Sequence, residues 1–317
     1  MRKQTKTGDT RNVGYNSGVI SKARLARLST YSAQLRLFLV PYLVGTLALT
    51  VLPALGTVII AFSRYNALGF QEWVGLENFL TVARSTIVQI SLKNTLIFLV
   101  LAVPVRMLAA LGLALLLQQK RRLFGLYRAV VYLPTVIPEV AYALIWLWIF
   151  NPLYGPLNLL LTGLGLPAPV WLAEPATARL AIVVMLSFQI GEGFVVLLAG
   201  LQSVPRALYE AARVDGATRF QQFARITLPL ITPWLLLLTF RDLIMSLQST
   251  FTPSFVMTYG GPYYATTFAP LLIYEVAFDY FDFGVGAALL VLVYVFLLLI
   301  VYAIVRVVGW RWGNIDA

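Results

Sequence analysis

The chain has 317 residues, of which 60% are hydrophobic and only 12% are charged, and its mean hydropathy is +0.82. Because soluble domains are about a quarter charged, this composition indicates a polytopic membrane protein. Cysteine and histidine are both absent, which excludes thiol catalysis, disulfide scaffolds, histidine-based triads and the usual zinc sites. The net charge of +11 does not indicate nucleic-acid binding, since no basic stripe with interleaved aromatic residues occurs.

Apolar segments of the length that crosses a bilayer follow a polar, basic tail at residues 1–36. We predict six spans, at residues 37–62, 95–117, 129–150, 180–201, 229–257 and 284–305. The predicted fold is an all-α membrane protein, with a six-helix transmembrane domain at residues 37–308 and a short tail at residues 309–317. The N-terminal tail is expected to set the topology and to touch anionic membrane lipid, or else to pack as an arm on a partner.

The basic residues predict the orientation of the chain. Eighteen of the 24 lysines and arginines lie in the N-terminal tail, the second and fourth connectors and the C-terminus, whereas the opposite connectors hold three. Cytoplasmic loops of membrane proteins carry the excess of lysine and arginine. We therefore predict a multi-pass protein of the cell (inner) membrane, with both termini and the fourth connector in the cytoplasm.

The fourth connector, residues 203–228, is longer than the short turn that two spans require. Pro205 suits the first turn of a helix, and residues 206–214 are rich in helix formers. Asp215 and Gly216 then predict a turn, because glycine adopts a positive φ without a Cβ clash. The first half of the connector is therefore predicted to be a helix that ends at a glycine turn.

A second short helix is predicted after this turn, since Thr218 and Gln221 fit a capping box. Pro229 is expected to begin the fifth span. Alanines on one face of the first helix would let another surface approach closely. The small residues are Ala207, Ala211 and Ala212. Tyr209 and Phe220 are the larger side chains that we expect to act as anchors.

This connector closely resembles the EAA loop of ABC importer permeases, in which Glu-Ala-Ala precedes a glycine and an apolar-x-Leu-Pro ending. The corresponding residues, with the aspartate before the glycine, are Glu210, Ala211, Ala212, Asp215, Gly216, Ile226, Leu228 and Pro229. In that family the loop contacts the ATP-hydrolysing subunit. The resemblance implies that closure of this subunit pushes the helix pair and rotates the spans. The alternative is a helix pair that merely lies on lipid.

No lysine follows a glycine, so the chain lacks the phosphate-binding loop G-x-x-x-x-G-K-[S/T]. The chain is therefore expected to be a transport subunit and not an enzyme, with no cofactor, catalytic residue or metal site of its own. ATP and Mg²⁺ are expected on the partner ATPase. The resemblance implies three kinds of partner: a second permease subunit, a dimer of ABC ATPase subunits and an extracytoplasmic solute-binding protein.

Further segments resemble the permeases of carbohydrate importers of the maltose and glycerol-phosphate type, across about residues 35–308. They include residues 74–79, 151–158, 258–262 and 274–278. The Gly-Gly-Pro at residues 260–262 typifies the first of the two permeases in these systems, although Met257 stands where leucine is usual. The resemblance implies a sugar as cargo, with a polyol or glycerol phosphate as the alternative. A phosphate would favour several basic residues in the path, where only Arg106 and Arg241 are candidates.

Polar residues inside the predicted spans indicate either a substrate path or structural pairing, because an uncompensated charge at mid-membrane costs about 2.5–3.5 kcal/mol. The candidates for the path are Gln189, Glu192, Arg241, Gln248 and Phe251. Amides and carboxylates bind sugar hydroxyls, and an aromatic face covers sugar C–H groups. Structural pairing of Glu192 with Arg241 or Arg106 is the equal alternative. Asp242 needs a different partner from Arg241, since adjacent helix positions do not face each other.

Two further expectations concern the external end of the spans. Trp146 and Trp148 are expected to anchor the membrane interface. The acidic residues of the last external connector are expected to form either a solvated loop or a docking surface for the binding protein; they are Glu275, Asp279 and Asp282.

Two other classes of protein fit the composition less well. A polytopic membrane enzyme would need polar groups clustered at one depth, and only three carboxylates lie in the predicted spans. A non-transporting scaffold subunit would not need polar groups at mid-membrane.

Overall fold

The computed structural model describes residues 37–66, 68–118 and 124–312, with side chains described as far as residue 306. The predicted N-terminal tail and the last five residues of the predicted C-terminal tail lie outside these ranges. The described residues divide into two units, with the boundary between Thr57 and Val58.

The described residues form helices and one antiparallel β-hairpin. The strands are β1 (Ser63–Asn66) and β2 (Gly69–Trp73). The helices are α1 (Leu37–Ala61), α2 (Glu77–Arg84), α3 (Thr86–Leu116), α4 (Phe124–Val136), α5 (Glu139–Ile149), α6 (Pro156–Gly163), α7 (Pro175–Ser187), α8 (Gly191–Ser203), α9 (Arg206–Val214), α10 (Arg219–Thr258), α11 (Ala269–Tyr274) and α12 (Phe283–Trp312). A π-helical turn, Glu275–Asp279, continues α11.

In the part of the chain that the structure describes, four helices are long and apolar enough to cross a membrane: α1, α3, α10 and α12. The bent pairs α4–α5 and α7–α8 raise this number to six if each pair is one span. The predicted all-α membrane architecture is thus confirmed, with four to six candidate spans. The third and fourth of the predicted spans are broken helices, since α4 and α5 are bent by 101° and α7 and α8 by 47°.

The two breaks have different causes and pack against each other. Pro138 precedes α5 with an extended ψ of 137°, and a proline disfavours helical geometry in the residue before it. The break before Gly191 contains no proline and arises from packing. A Cβ added to Gly191 would lie 2.8 Å from Tyr132 Cα and 3.1 Å from the side chain of Thr135, both in α4. Only glycine lets α8 begin so close to α4.

The hydrophobic core has two parts, arranged along α3. The outer cluster joins α3 to α5, α7, α11 and α12, with Phe98, Ile182 and Leu289 fully buried. The inner cluster joins the C-terminal half of α3 to α8 and α10, with Ala110, Phe194 and Ile231 buried. The inner cluster fixes α3, α8 and α10 against one another, and α8 and α10 carry most of the predicted path residues.

The segment between α10 and α11, which contains the Gly-Gly-Pro motif, is held on α3 by hydrogen bonds. Asn94 is buried, and its Nδ2 donates to the carbonyl oxygen of Tyr264 at 2.7 Å. Thr95 Oγ1 accepts a hydrogen bond from the backbone N–H of Ala269 at 2.9 Å. The start of α11 is therefore fixed relative to α3.

Trp146 is buried inside the protein, so its ring is not the exposed interface anchor that was expected. Its side chain is 9% exposed, and its ring centroid lies 5.1 Å from that of Phe150 and 5.2 Å from that of Phe188. Phe188 belongs to the break between α7 and α8, towards which the bend at Pro138 turns α5. Trp148 remains 54% exposed, and its interfacial role stays a prediction.

Candidate functional site

The fourth connector folds as a helix, a glycine turn and a second helix, as predicted. α9 begins directly after Pro205, and Asp215 caps its C-terminus. Gly216 has a φ of +76°, and the N–H of Ala217 donates to the carbonyl of Ala212 at 2.8 Å to close the turn. A left-handed residue closed by such a bond is the usual end of a helix, and glycine adopts it without strain.

The predicted capping box is also present. Thr218 Oγ1 accepts from the N–H of Gln221 at 3.3 Å, and Gln221 Oε1 accepts from the N–H of Thr218 at 2.7 Å. These bonds satisfy two free donors at the start of α10. The capping box therefore fixes where α10 begins after the glycine turn.

The expectation of a short second helix that ends before Pro229 is wrong, because α10 runs unbroken for 40 residues, from Arg219 to Thr258. That the membrane span itself begins at Pro229 stays a prediction. A π-helical turn, Phe223–Thr227, ends two residues before the proline, and the N–H of Leu228 donates to the carbonyl of Phe223. The wider turn accommodates a residue that lacks an N–H and whose ring would crowd an α-helical carbonyl. At 1.5 Å per residue, α10 is about 60 Å long.

The connector has one buried side and one exposed side. Tyr209 Oη lies 2.8 Å from Thr227 Oγ1, and Ile226 packs on the inner core cluster, so both side chains face the protein. Tyr209 is therefore not the exposed anchor that was expected. Phe220 is 77% exposed, as expected of an anchor, and Val214, which the sequence did not single out, is 88% exposed.

The other residues matched to the loop pattern lie mainly on the exposed side. Ala212 is half-buried; the exposed residues are Glu210, Ala211, Asp215, Gly216, Leu228 and Pro229. The connector thus presents small and apolar side chains together with charged ones, while its inner face is fixed to the body of the protein.

A buried ion pair joins α3 to α10. Arg106 is 5% exposed, and its Nη2 lies 3.0 Å from Asp242 Oδ2. The same nitrogen donates to Ser246 Oγ, one helical turn further along α10. A buried guanidinium is tolerated only with such partners. Asp242 therefore does have a partner different from that of Arg241.

A second ion pair joins α8 to α10. Arg241 Nη2 contacts Glu192 Oε2, which resolves the two pairing alternatives for Glu192 in favour of Arg241. Both side chains are nearly half exposed, at 44% and 49%. Gln189, in the break before α8, lines the same small crevice between α3, α8 and α10. Glu192, Arg241 and Gln189 therefore come together, beside the buried Arg106–Asp242 pair.

The remaining path candidates lie further along α10. Gln248 is exposed, two turns beyond Arg241, and Phe251 lies in a cluster of aromatic rings. Next to Phe251, Thr252 Oγ1 donates to Glu139 Oε2 at 2.8 Å. This contact was not predicted from the sequence. The only sequence feature that pointed to Glu139 was its position directly after a proline in a predicted span.

Comparisons with known proteins agree with this architecture. Residues 102–313 match the family model described as "Binding-protein-dependent transport system inner membrane component". The chain is 35% identical to the "Trehalose/maltose transport system permease protein MalF" of Thermococcus litoralis, over 83% of this chain and 89% of the relative. It is 34% identical to the "sn-glycerol-3-phosphate transport system permease protein UgpA" of Pectobacterium atrosepticum, over 68% of this chain and 74% of the relative.

A solved structure shares the fold. It is the crystal structure of a bacterial alginate ABC transporter in complex with an alginate pentasaccharide-bound periplasmic protein. A chain of that complex superposes with a TM-score of 0.75 at 27% identity, covering 88% of this chain and 95% of that one. The resemblance to ABC importer permeases is thus confirmed, and the chain belongs to the family of binding-protein-dependent transport system inner membrane components.

Proposed function

We propose that this chain is a transmembrane permease subunit of an ABC importer and that it translocates a sugar delivered by an extracytoplasmic binding protein. The observation that carries the proposal is the continuity of α10. One helix begins in the exposed connector at Arg219, carries Arg241 and Asp242 at their ion pairs, and ends at the Gly-Gly-Pro segment. A push on the connector is therefore transmitted directly to the polar groups between the spans.

The connector is the proposed docking site for a separate ATPase subunit. The charge distribution favours a cytoplasmic position for the connector and for both termini. The exposed Phe220 and Val214 are suited to enter a cleft on the partner, and Ala211 permits close approach. The ATPase subunits hold ATP and Mg²⁺, and a second permease completes the path.

The polar crevice between α3, α8 and α10 is the proposed inner part of the substrate path. Glu192 and Arg241 are half-exposed within membrane spans, so we place them against water or substrate and not against lipid, in which charges are costly. The crevice adjoins the break between α7 and α8. Movement of α10 relative to α8 would open or close this pair.

A neutral sugar is the proposed cargo, in line with a relative named as a trehalose and maltose permease. A phosphorylated polyol is the second candidate for the cargo, because another relative is named as a glycerol-phosphate permease. Both arginines near the crevice, Arg106 and Arg241, already pair with carboxylates. A phosphate would have to displace these carboxylates, whereas sugar hydroxyls can bind to the pairs as they stand.

Charge reversal tests the Glu192–Arg241 pair. Glu192→Arg or Arg241→Glu alone places like charges together, and we expect either change to lower sugar uptake by whole cells at least about tenfold, equivalent to about 1.4 kcal/mol. The double exchange should recover uptake to within about threefold of the wild type, because it restores the attraction. Uptake is measured with radiolabelled maltose and trehalose, after normalisation to the amount of complex in the membrane.

The matched control for charge reversal is Arg64→Glu, in the exposed hairpin, where Arg64 contacts Glu72 and Glu77. This change should leave uptake unaltered. Single charge reversals of Glu192 and Arg241 with wild-type uptake would contradict the proposed role of the pair. An intact importer that takes up glycerol phosphate but no neutral sugar would contradict the proposed cargo.

A further inference from the structure

Aromatic rings from two elements form a continuous stripe at the outer end of α10. Phe251 and Phe255 stack with centroids 5.5 Å apart and planes 18° apart. Tyr274, at the end of α11, lies 5.4 Å from Phe251 and 5.5 Å from Phe255. Tyr259 and Phe278 extend the row at each side, each with a centroid 5.4 Å from its neighbour. We call these residues the aromatic stripe.

Two π-helical turns build this stripe. One is Ser254–Thr258, at the end of α10, and the other is Glu275–Asp279, directly after α11. Rings four residues apart contact each other at both turns: Phe251 with Phe255, and Tyr274 with Phe278. Such turns are frequent at functional sites. Because two π-turns lie along the same row of rings, we regard the row as a candidate binding surface.

The stripe is accessible and is bordered by polar groups. Phe251, Phe255 and Tyr274 are half-buried, while Tyr259 and Phe278 are each 56% exposed. Tyr259 Oη donates to Asp279 Oδ2 at 2.9 Å, and this bond raises the pKa of the Tyr259 hydroxyl. At the inner end of the stripe lie the exposed Gln248 and the Glu139–Thr252 hydrogen bond. Hydrogen-bonding groups therefore lie along both borders of an aromatic surface.

The nearby carboxylates argue against lipid as the occupant. Glu275 lies in the second π-turn beside Asp279, and its pKa is raised by partial burial and then by the charge of Asp279. Hydrocarbon around these groups would raise the cost of their charges further. The exposed surface of α12 differs from the stripe. Its exposed side chains, such as Leu298 and Leu299, are aliphatic, which is the character of a lipid contact.

The chemistry of the stripe fits a carbohydrate ring. The negative face of an aromatic ring attracts the weakly positive C–H groups on one face of a sugar. Carboxylates and amides at the borders accept and donate hydrogen bonds to the hydroxyl groups at the sugar edge. An anionic sugar would be repelled by Glu139, Glu275 and Asp279. The substrate class that matches is an uncharged sugar.

We infer that the aromatic stripe is the outer part of the sugar path and that uncharged sugar rings stack on it on the way to Gln248 and the Glu192–Arg241 pair. Arg241, Gln248 and Phe255 follow one another at intervals of seven residues and share one face of α10. The path therefore continues along this face from the inner crevice to the external end. The inference rests on the proposed function and extends the path from Phe251 to rings of a second element.

The absence of cysteine from the chain permits a direct test. Phe255→Cys and Phe278→Cys are placed one at a time in the full chain, assembled with its partner subunits in cells. Two membrane-impermeant thiol reagents are added from outside: the cationic MTSET and the anionic MTSES. Leu164→Cys, in an exposed connector, gives the intrinsic ratio of their rates, and Leu298→Cys serves as the lipid-type control.

Both stripe cysteines should react, whereas Leu298→Cys should not. After normalisation to Leu164→Cys, MTSET should react at least about fivefold faster than MTSES at the stripe, because the bordering carboxylates attract the cation and repel the anion. Phe278 is 56% exposed, so Phe278→Cys keeps the test decisive if Phe255→Cys does not assemble.

No reaction at the stripe, or equal normalised rates for the two reagents, would overturn the inference. If the intact importer still takes up neutral sugar in that case, the inference alone fails and the proposed function stands. If the importer takes up no neutral sugar, the proposed function fails whatever the labelling shows.

Discussion

Gly216→Val is expected to abolish coupling between ATP hydrolysis and transport while leaving the complex assembled. Gly216 has a φ of +76°, and no atom lies within 4 Å of the position that a Cβ would take. Valine therefore meets no neighbour, but a left-handed backbone costs it about 1–2 kcal/mol or more. The strain is relieved by a different turn, which changes the angle between α9 and α10. We expect sugar uptake to fall at least about tenfold, with loss of the ATPase stimulation that loaded binding protein causes.

Gly165→Val is the matched control, since Gly165 also has a positive φ, of +70°, and open space around it, but lies between α6 and α7. The same backbone strain at that place should leave coupling intact. Ala212→Asp, which puts a charge on a half-buried position of the connector, should reproduce the Gly216→Val phenotype. Normal uptake and normal stimulated ATPase activity in both connector variants would contradict the proposed role of the connector.

Arg106→Met is expected to destabilise the permease by about 3–5 kcal/mol, because it leaves Asp242 as an unpaired, largely buried carboxylate. Ser246 loses its charged donor at the same time. The measurement is the melting temperature of the purified complex, together with its abundance in the membrane. The double variant Arg106→Met/Asp242→Leu should recover most of the stability, since an apolar pair of similar volume can replace a buried ion pair.

Arg64→Met is the control for this experiment, because Arg64 and its partners Glu72 and Glu77 are each about half exposed. An exposed pair of this kind is worth no more than about 1 kcal/mol. If Arg106→Met melts at the same temperature as Arg64→Met, the Arg106–Asp242 contact does not hold α3 and α10 together.

The connector could be predicted from sequence because every signal in it is local. Pro205, Gly216 and the pair Thr218 and Gln221 each act within a few residues of their own positions. A helix start, a left-handed turn and a capping box need no distant contact to form. The same holds for the six apolar segments, whose length and composition alone indicate that they span a membrane.

The course of the helices could not be predicted, because it depends on distant contacts. The break before α8 follows from the contact of Gly191 with Tyr132, which lies 59 positions earlier in the sequence. The continuity of α10 through Pro229 requires a π-turn, and no sequence pattern distinguished that from a helix start. The break before α8 contains no proline that could have marked it, whereas Pro229 marked a break that does not occur.

The candidate path could be predicted only in part. Charges in the spans identified Glu192 and Arg241, but the choice between Arg241 and Arg106 as the partner of Glu192 required the packing of α8 on α10. The aromatic stripe was not predicted beyond Phe251, because Tyr274 and Phe278 come from another helix and join it only in the folded chain.

The most direct test of the central claim, that the connector docks on an ATPase subunit, is site-specific cross-linking in cells. A photoreactive phenylalanine analogue replaces Phe220, which is 77% exposed, and in a second strain it replaces Leu153, which is 82% exposed beyond α5. The proposed function predicts a light-dependent adduct between position 220 and the ATPase subunit and no such adduct from position 153. An ATPase adduct from position 153, or none from position 220 in an importer that still transports sugar, would contradict it.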